Sequence, residues 1–144
     1  MEIRKSTPKD AEFLGKIEKE TFSDPWKEED ILSLISTEGA MCYTAVSDGE
    51  ISAYVLGRII APEGEIYRIA TLPKYRRRGI ATRLLERLLR EEEKNGLESL
   101  FLEVRESNIA ARSLYESLGF NTIGKRKNYY KHPTEDAVLM LLTV

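Results

Sequence analysis

The feature that most constrains this chain is a change of hydrophobic period at its centre. Glu65–Leu72 has the composition of a strand, and from there Ile80, Leu84, Leu85, Leu88 and Leu89 recur at helical spacing. Asn95-Gly96 closes that helix with a C-terminal glycine, and Ser99–Val104 reads as a strand again. The rest of the chain alternates in the same way. A first strand lies around residues 2–5. Thr7-Pro8-Lys9-Asp10 supplies a cap, a proline at the first helical position and an acid completing a capping box, ahead of a helix with Phe13, Leu14 and Ile17 on one side. Asp24-Pro25-Trp26 reads as a second cap, with Ile31, Leu32 and Ile35 as the buried stripe beyond it. Met41–Val46 and Ile51–Ile60 form a hairpin about the two-residue turn Asp48-Gly49. Asn108–Leu118 is a helix with Ala111, Leu114, Tyr115 and Leu118 on one stripe, ended by Gly119. Two last strands, near 120–126 and 137–143, enclose a polar, tyrosine-rich loop. The order β-α-α-β-β-β-α-β-α-β-β predicts a mixed α/β fold with one central sheet. With no linker or repeat, residues 1–144 read as a single domain.

At 144 residues the chain can bury roughly two-thirds of its unfolded surface, enough for a core without staples. Its net charge of −2 argues against a dedicated nucleic-acid coat. Between Pro73 and Arg90, however, Lys74, Arg76, Arg77, Arg78, Arg83, Arg87 and Arg90 face one acid, Glu86, which invites an anionic partner. The single cysteine, Cys42, excludes an internal disulfide, and no metal site is expected. No run is long and apolar enough for a membrane span or a signal core, so a cytoplasmic protein is expected.

The segment Ile69 to Thr82 runs from strand through basic loop to helix start. A helix N-terminus offers unpaired N–H groups and partial positive charge, which suit phosphate. Gly79 permits close approach or positive φ, and Ala81 leaves the first turn unobstructed. The alternative is a solvated basic face. A Walker loop is excluded because Gly-Lys-Ser/Thr is absent, and one glycine makes a weak dinucleotide-binding turn.

Arg76-Arg77-Arg78-Gly79-Ile80-Ala81 resembles the Arg/Gln-x-x-Gly-x-Gly/Ala acetyl-CoA signature of the GNAT N-acetyltransferases. Leu102-Glu103-Val104-Arg105-Glu106-Ser107-Asn108, Ala110-Ala111, Leu114-Tyr115-Glu116 and Leu118-Gly119-Phe120 resemble the RimI-type protein N-terminal branch of that family, as do Asn128-Tyr129-Tyr130, Glu135-Asp136-Ala137 and Pro25-Trp26. The resemblance implies a mostly antiparallel mixed sheet of about seven strands flanked by about four helices. It also implies acetyl-CoA as cofactor and, as acceptor, a protein N-terminal α-amine on a ribosomal protein or nascent chain, with no nucleic-acid or membrane partner. A lysine, polyamine or other small-amine acceptor is the alternative, and a non-catalytic CoA- or RNA-binding module a third reading. By the same resemblance, Ile69, Ala70 and Thr71 meet the pantetheine arm, while Arg76, Arg77, Arg78, Gly79, Ile80, Ala81 and Thr82 wrap the pyrophosphate. Two positions depart from the family pattern: Ala81 stands where glycine is commoner, and Thr71 where a branched apolar residue is usual.

Alternation along Ser99–Arg105 sets Phe101, Glu103 and Arg105 on one face. Glu103 then sits near the C-terminal end of a strand, where open α/β sheets place ligands. Partial burial would raise its pKa and suit it to take a proton from an ammonium. The competing reading is a structural ion pair with Arg105. Tyr115 can share a helix face with Asn108, seven residues earlier; the family role is to protonate the departing thiolate, against a plain core aromatic. Asn108 is either a helix cap or a pantetheine ligand. Tyr129 and Tyr130, with Phe22, Pro25 and Trp26, are the resemblance's substrate walls, against a packed hairpin corner. Glu20 and Asp24 are weaker candidates for meeting an ammonium. His132 reads as an exposed spectator and Cys42 as a small core residue.

Overall fold

The computed structural model describes every residue from Met1 to Val144. Strand β1 (Glu2–Lys5) leads through a short 3-10 turn at Pro8–Asp10 into α1 (Ala11–Thr21) and α2 (Glu28–Ile35). A meander follows of β2 (Tyr43–Ser47), β3 (Glu50–Ile60) and β4 (Glu63–Thr71). Then come α3 (Ile80–Glu93), β5 (Ser99–Arg105), α4 (Ile109–Ser117), β6 (Asn121–Tyr130) and β7 (Glu135–Thr143). The seven strands form one sheet in the order β1-β2-β3-β4-β5-β7-β6. Every neighbouring pair is antiparallel except β4 and β5. This is the one central mixed sheet that the element order predicts, mostly antiparallel with four helices as the family resemblance implies.

Both sheet faces are covered. Leu84, Leu85 and Leu88 of α3 are fully buried with Tyr43, Val55, Leu100 and Met140, and Tyr115 of α4 joins that layer. On the other face Leu14 and Ile17 of α1 and Ile31 and Leu34 of α2 pack on Tyr54, Leu56 and Ala70. The β2–β3 turn is held by Asp48 (φ 52°) and Gly49 (φ 79°), both left-handed as a tight two-residue hairpin turn requires.

The parallel pair is incomplete, and that sets the site. Strands β4 and β5 are in register only from Glu63↔Ser99 to Ile66↔Leu102. Beyond that, β4 stays paired to β3 as far as Thr71↔Ala53, and β5 stays paired to β7 as far as Arg105↔Ala137. Each strand is therefore held by its outer neighbour while the inner seam is open. The result is a fork in mid-sheet.

The structure corrects three expectations. Helix α2 begins at Glu28 with Lys27 as its cap, not at Asp24, because the Asp24 carbonyl and Trp26 N–H are engaged by Arg68 and Glu18 and stay outside the helix. Its buried stripe is Ile31 and Leu34, with Leu32 40% exposed; Phe13 of α1 is likewise 40% exposed. The last hairpin is longer than expected, so Tyr129 and Tyr130 end β6 instead of lying in a loop.

Candidate active site

A cleft of about 670 Å³ fills the fork, with Ile66–Ile69 of β4 and Leu102–Arg105 of β5 as its two arms. The direction of the β4 backbone groups follows from its ladder. The Leu72 N–H donates to the Ser52 carbonyl at 2.8 Å, and bonded pairs alternate along an antiparallel ladder. Arg68 and Ala70 are thus bonded to β3, while Ile69 and Thr71 turn their N–H and C=O toward the open seam. Arg76 Nε reaches the Thr71 carbonyl on that side at 3.1 Å.

Beyond β4 the chain makes a 3-10 turn at Pro73–Tyr75 and enters α3 through two left-handed residues, Arg77 (φ 64°) and Gly79 (φ 74°). No backbone carbonyl accepts a bond from any N–H between Arg77 and Thr82, and the first turn of α3 holds no acid. Ile80 is buried, so its side chain anchors the turn and only its backbone faces outward. The Arg78 guanidinium lies 5.4 Å from the centre of the Tyr75 ring. A run of free donors at a positive helix end suits a pyrophosphate, and a free strand edge beside it suits an extended chain of amides. These residues fit acetyl-CoA.

On the other arm, Glu103 Oε1 pairs with Arg126 Nε at 3.2 Å, while Oε2 is buried without a partner. The alternative pairing with Arg105 does not form. Arg105 bonds Glu135 at 3.3 Å and the carbonyls of Lys131 and Pro133 at 3.0 Å, and stacks 4.5 Å from the centre of the Tyr130 ring. It therefore straps the β6–β7 turn. Tyr115 lines the cleft while only 4% exposed, packed against Phe120. Burial, reinforced by Tyr130, holds its phenol well above the usual range, so it keeps its proton at any working pH. Asn108 caps α4, its Oδ1 accepting from the Ala111 N–H at 3.2 Å, which leaves its amide NH₂ free to donate toward the cleft it also lines.

Phe22, Asp24 and Trp26 line one side of the cleft and Tyr129, Tyr130 and His132 the other. Pro25 does not reach it and lies behind, on a smaller hollow with Trp26 and Tyr67. Burial and the Glu103 charge push the Tyr130 phenol up to about 12. Glu20 is exposed and Cys42 buried, both outside the cleft; burial pushes the Cys42 thiol up to about 11, which makes it a poor nucleophile.

Three residues in or behind the cleft carry no motif in the sequence: Glu18, Arg68 and Glu65. Glu18, fully buried, accepts from the Trp26 N–H at 3.0 Å, from Arg68 Nε at 3.1 Å and from the Tyr54 hydroxyl. Arg68 in turn donates to the Asp24 carbonyl at 2.8 Å and lies 3.8 Å from the centre of the Phe22 ring. A charge on the Ala11–Leu14–Glu18 apolar stripe of α1 is the signal that marks it. The third is Glu65, a carboxylate of β4 lining the cleft floor, whose pKa is raised by burial and by Glu103 and lowered by Arg126.

A sheet forked at its one parallel pair, beside a helix start stripped of backbone acceptors, defines an acyl-CoA-dependent N-acetyltransferase. Residues 11–120 match the acetyltransferase (GNAT) family, and the chain belongs to it. Among curated relatives, the ribosomal protein bS18-alanine N-acetyltransferase of Escherichia coli K12 is 39% identical over 132 residues, covering 89% of this chain and 87% of the relative. That of Haemophilus influenzae is 35% identical over 136 residues, covering 91% and 90%. Among solved structures, the Escherichia coli ribosomal-protein-S18-alanine N-acetyltransferase superposes with a TM-score of 0.91 at 36% identity, covering 99% of this chain and 93% of its own. Ard1 from Thermoplasma volcanium gives 0.90 at 25% identity, covering 99% and 97%.

Proposed function

We propose that residues 1–144 form one N-acetyltransferase domain that acetylates the α-amine of a protein N-terminus, on a ribosomal protein or a nascent chain. The observation that carries this reading is the cleft's make-up: an open strand edge on one arm, a carboxylate on the other, and aromatic side chains lining a space of about 670 Å³. The alanine-specific names of the relatives at 39% and 35% identity support the acceptor class.

Acetyl-CoA supplies the activated acetyl thioester. Ile69 and Thr71 hold the pantetheine arm through the backbone, while Ala70 between them is bonded to β3 and does not reach it. The N–H groups of Arg77, Arg78, Gly79, Ile80, Ala81 and Thr82 hold the pyrophosphate, with Arg76 adding positive potential. Asn108 donates to the same arm. Backbone N–H groups of the Ile69–Thr71 edge oppose the charge that grows on the acetyl oxygen, where fixed donors act most strongly. Glu103 takes the proton that the acceptor ammonium must lose before it can attack. Tyr115 gives its proton to the departing sulfur. Phe22, Trp26, Tyr129 and Tyr130 wall the peptide, and Pro25 supports Trp26 from behind. We place this work in the cytoplasm; no helix is long and apolar enough to cross a membrane.

The test is mass-spectrometric mapping of peptide libraries incubated with the protein and acetyl-CoA. Acetyl groups on the α-nitrogen of alanine-initiated peptides are expected. Acetylation confined to lysine side chains or polyamines would contradict the proposal.

A further inference from the structure

We propose that Glu65 is a second carboxylate of the acceptor site, binding the incoming ammonium together with the unpartnered Oε2 of Glu103. The inference rests on the acetyltransferase reading above and names the group that gives the acceptor its affinity. Glu65 stands one residue before the last rung of the parallel pair, opposite Phe101. Phe101 and Glu103 share a face of β5, so Glu65 and Glu103 lie diagonally across the base of the fork. A strand spacing near 4.8 Å and a two-residue rise place their Cα atoms about 8 Å apart, close enough for two glutamates to grip one cation.

The charges lining the cleft single out Glu65. Asp24 pairs with Arg68 at 3.7 Å, Glu103 with Arg126 at 3.2 Å and Glu135 with Arg105 at 3.3 Å. Glu65 lines the same cleft with no cation at ion-pair distance. A part-buried carboxylate without a partner is unfavourable until a cation arrives. Glu65 thus has no cation at ion-pair distance, and beside it Glu103 Oε2 has no donor. An ammonium brings one charge and three donors. A neutral product amide brings neither, so the same residue that draws in the substrate does not hold the product.

The experiment uses the full chain, its Glu65→Gln and Glu65→Asp variants, and a short alanine-initiated peptide with either a free or an already acetylated N-terminus. At saturating acetyl-CoA, Glu65→Gln is expected to raise the peptide KM about tenfold or more. The KM for acetyl-CoA should stay unchanged and kcat fall far less than for Glu103→Gln, with Glu65→Asp recovering part of the loss. Calorimetry should show weaker binding of the free-amine peptide and unchanged binding of the acetylated one. A peptide KM within twofold of the parent, or equal loss for both peptides, overturns the proposal. If the parent enzyme acetylates N-α-acetyl-lysine or spermidine but not the peptide, the protein N-terminus reading fails while the same comparison with those amines still decides the role of Glu65.

Discussion

Residue by residue, the cleft walls are held by groups buried behind them. Glu18 is the clearest: fully buried, it ties Trp26, Tyr54 and Arg68 together, and Arg68 carries the connection on to Asp24 and Phe22. Replacing Arg68 by Met keeps the stem over Phe22 but removes the only cation beside a buried carboxylate. Breaking such a pair costs about 3 kcal/mol, so Arg68→Met should lower stability by about that much in denaturant melts. It should also raise the KM for peptide more than that for acetyl-CoA. Equal effects on both KM values would show that the pair serves only the fold. A second carboxylate governs acid stability. Asp10 accepts two bonds from Arg4, at 2.7 and 2.9 Å, and one from the Thr7 N–H at 2.7 Å. Arg4 chiefly, then Thr7, hold its pKa below the ordinary carboxylate value against burial. Its contribution is complete above about pH 4, the unfolded value, and is lost as pH falls through the lowered folded value. Parent and Asp10→Asn stability curves should therefore differ near neutrality and converge in acid.

Among the elements, the turn into α3 is the proposed pyrophosphate seat, entered through left-handed Arg77 and Gly79. Gly79 sits at φ 74°, yet a Cβ there would meet nothing within 4 Å. Gly79→Ala should thus cost only the left-handed strain, about 1 kcal/mol. Because the turn's N–H groups depend on that backbone, the KM for acetyl-CoA should rise while the peptide KM holds; an unchanged KM for acetyl-CoA would place the pyrophosphate elsewhere. This turn was legible in sequence because each of its parts is local: strand, basic loop, glycine, amphipathic helix. The Asp48-Gly49 hairpin was legible for the same reason. The start of α2 was not, since Asp24-Pro25-Trp26 has cap chemistry and only the distant Glu18 and Arg68 keep it out of the helix. The end of β6 was hidden too, its polar Lys125–Asn128 stretch showing none of the alternation that marks a half-buried strand.

For the molecule as a whole, hydrophobic period sets the face on which each side chain lies but not which strand neighbours which. The fork depends on strand order: β4 and β5, the one parallel pair, are each fastened to an outer antiparallel partner that runs further than they run together. Glu103 could be placed on a face from its own strand. Its true partner, Arg126, lies in β6, with β7 intervening between the two strands. Glu65 carried no motif and became visible only when the fork brought β4 against β5. The proposed chemistry requires Glu103 and Tyr115, which both line this cleft, to act on one bound thioester. Its most direct test is single-turnover and steady-state kinetics of Glu103→Gln and Tyr115→Phe, with acetyl-CoA binding followed by calorimetry. Both variants should bind acetyl-CoA like the parent while kcat falls by about 10²-fold or more. Near-parental kcat in both would remove the catalytic assignment from this cleft.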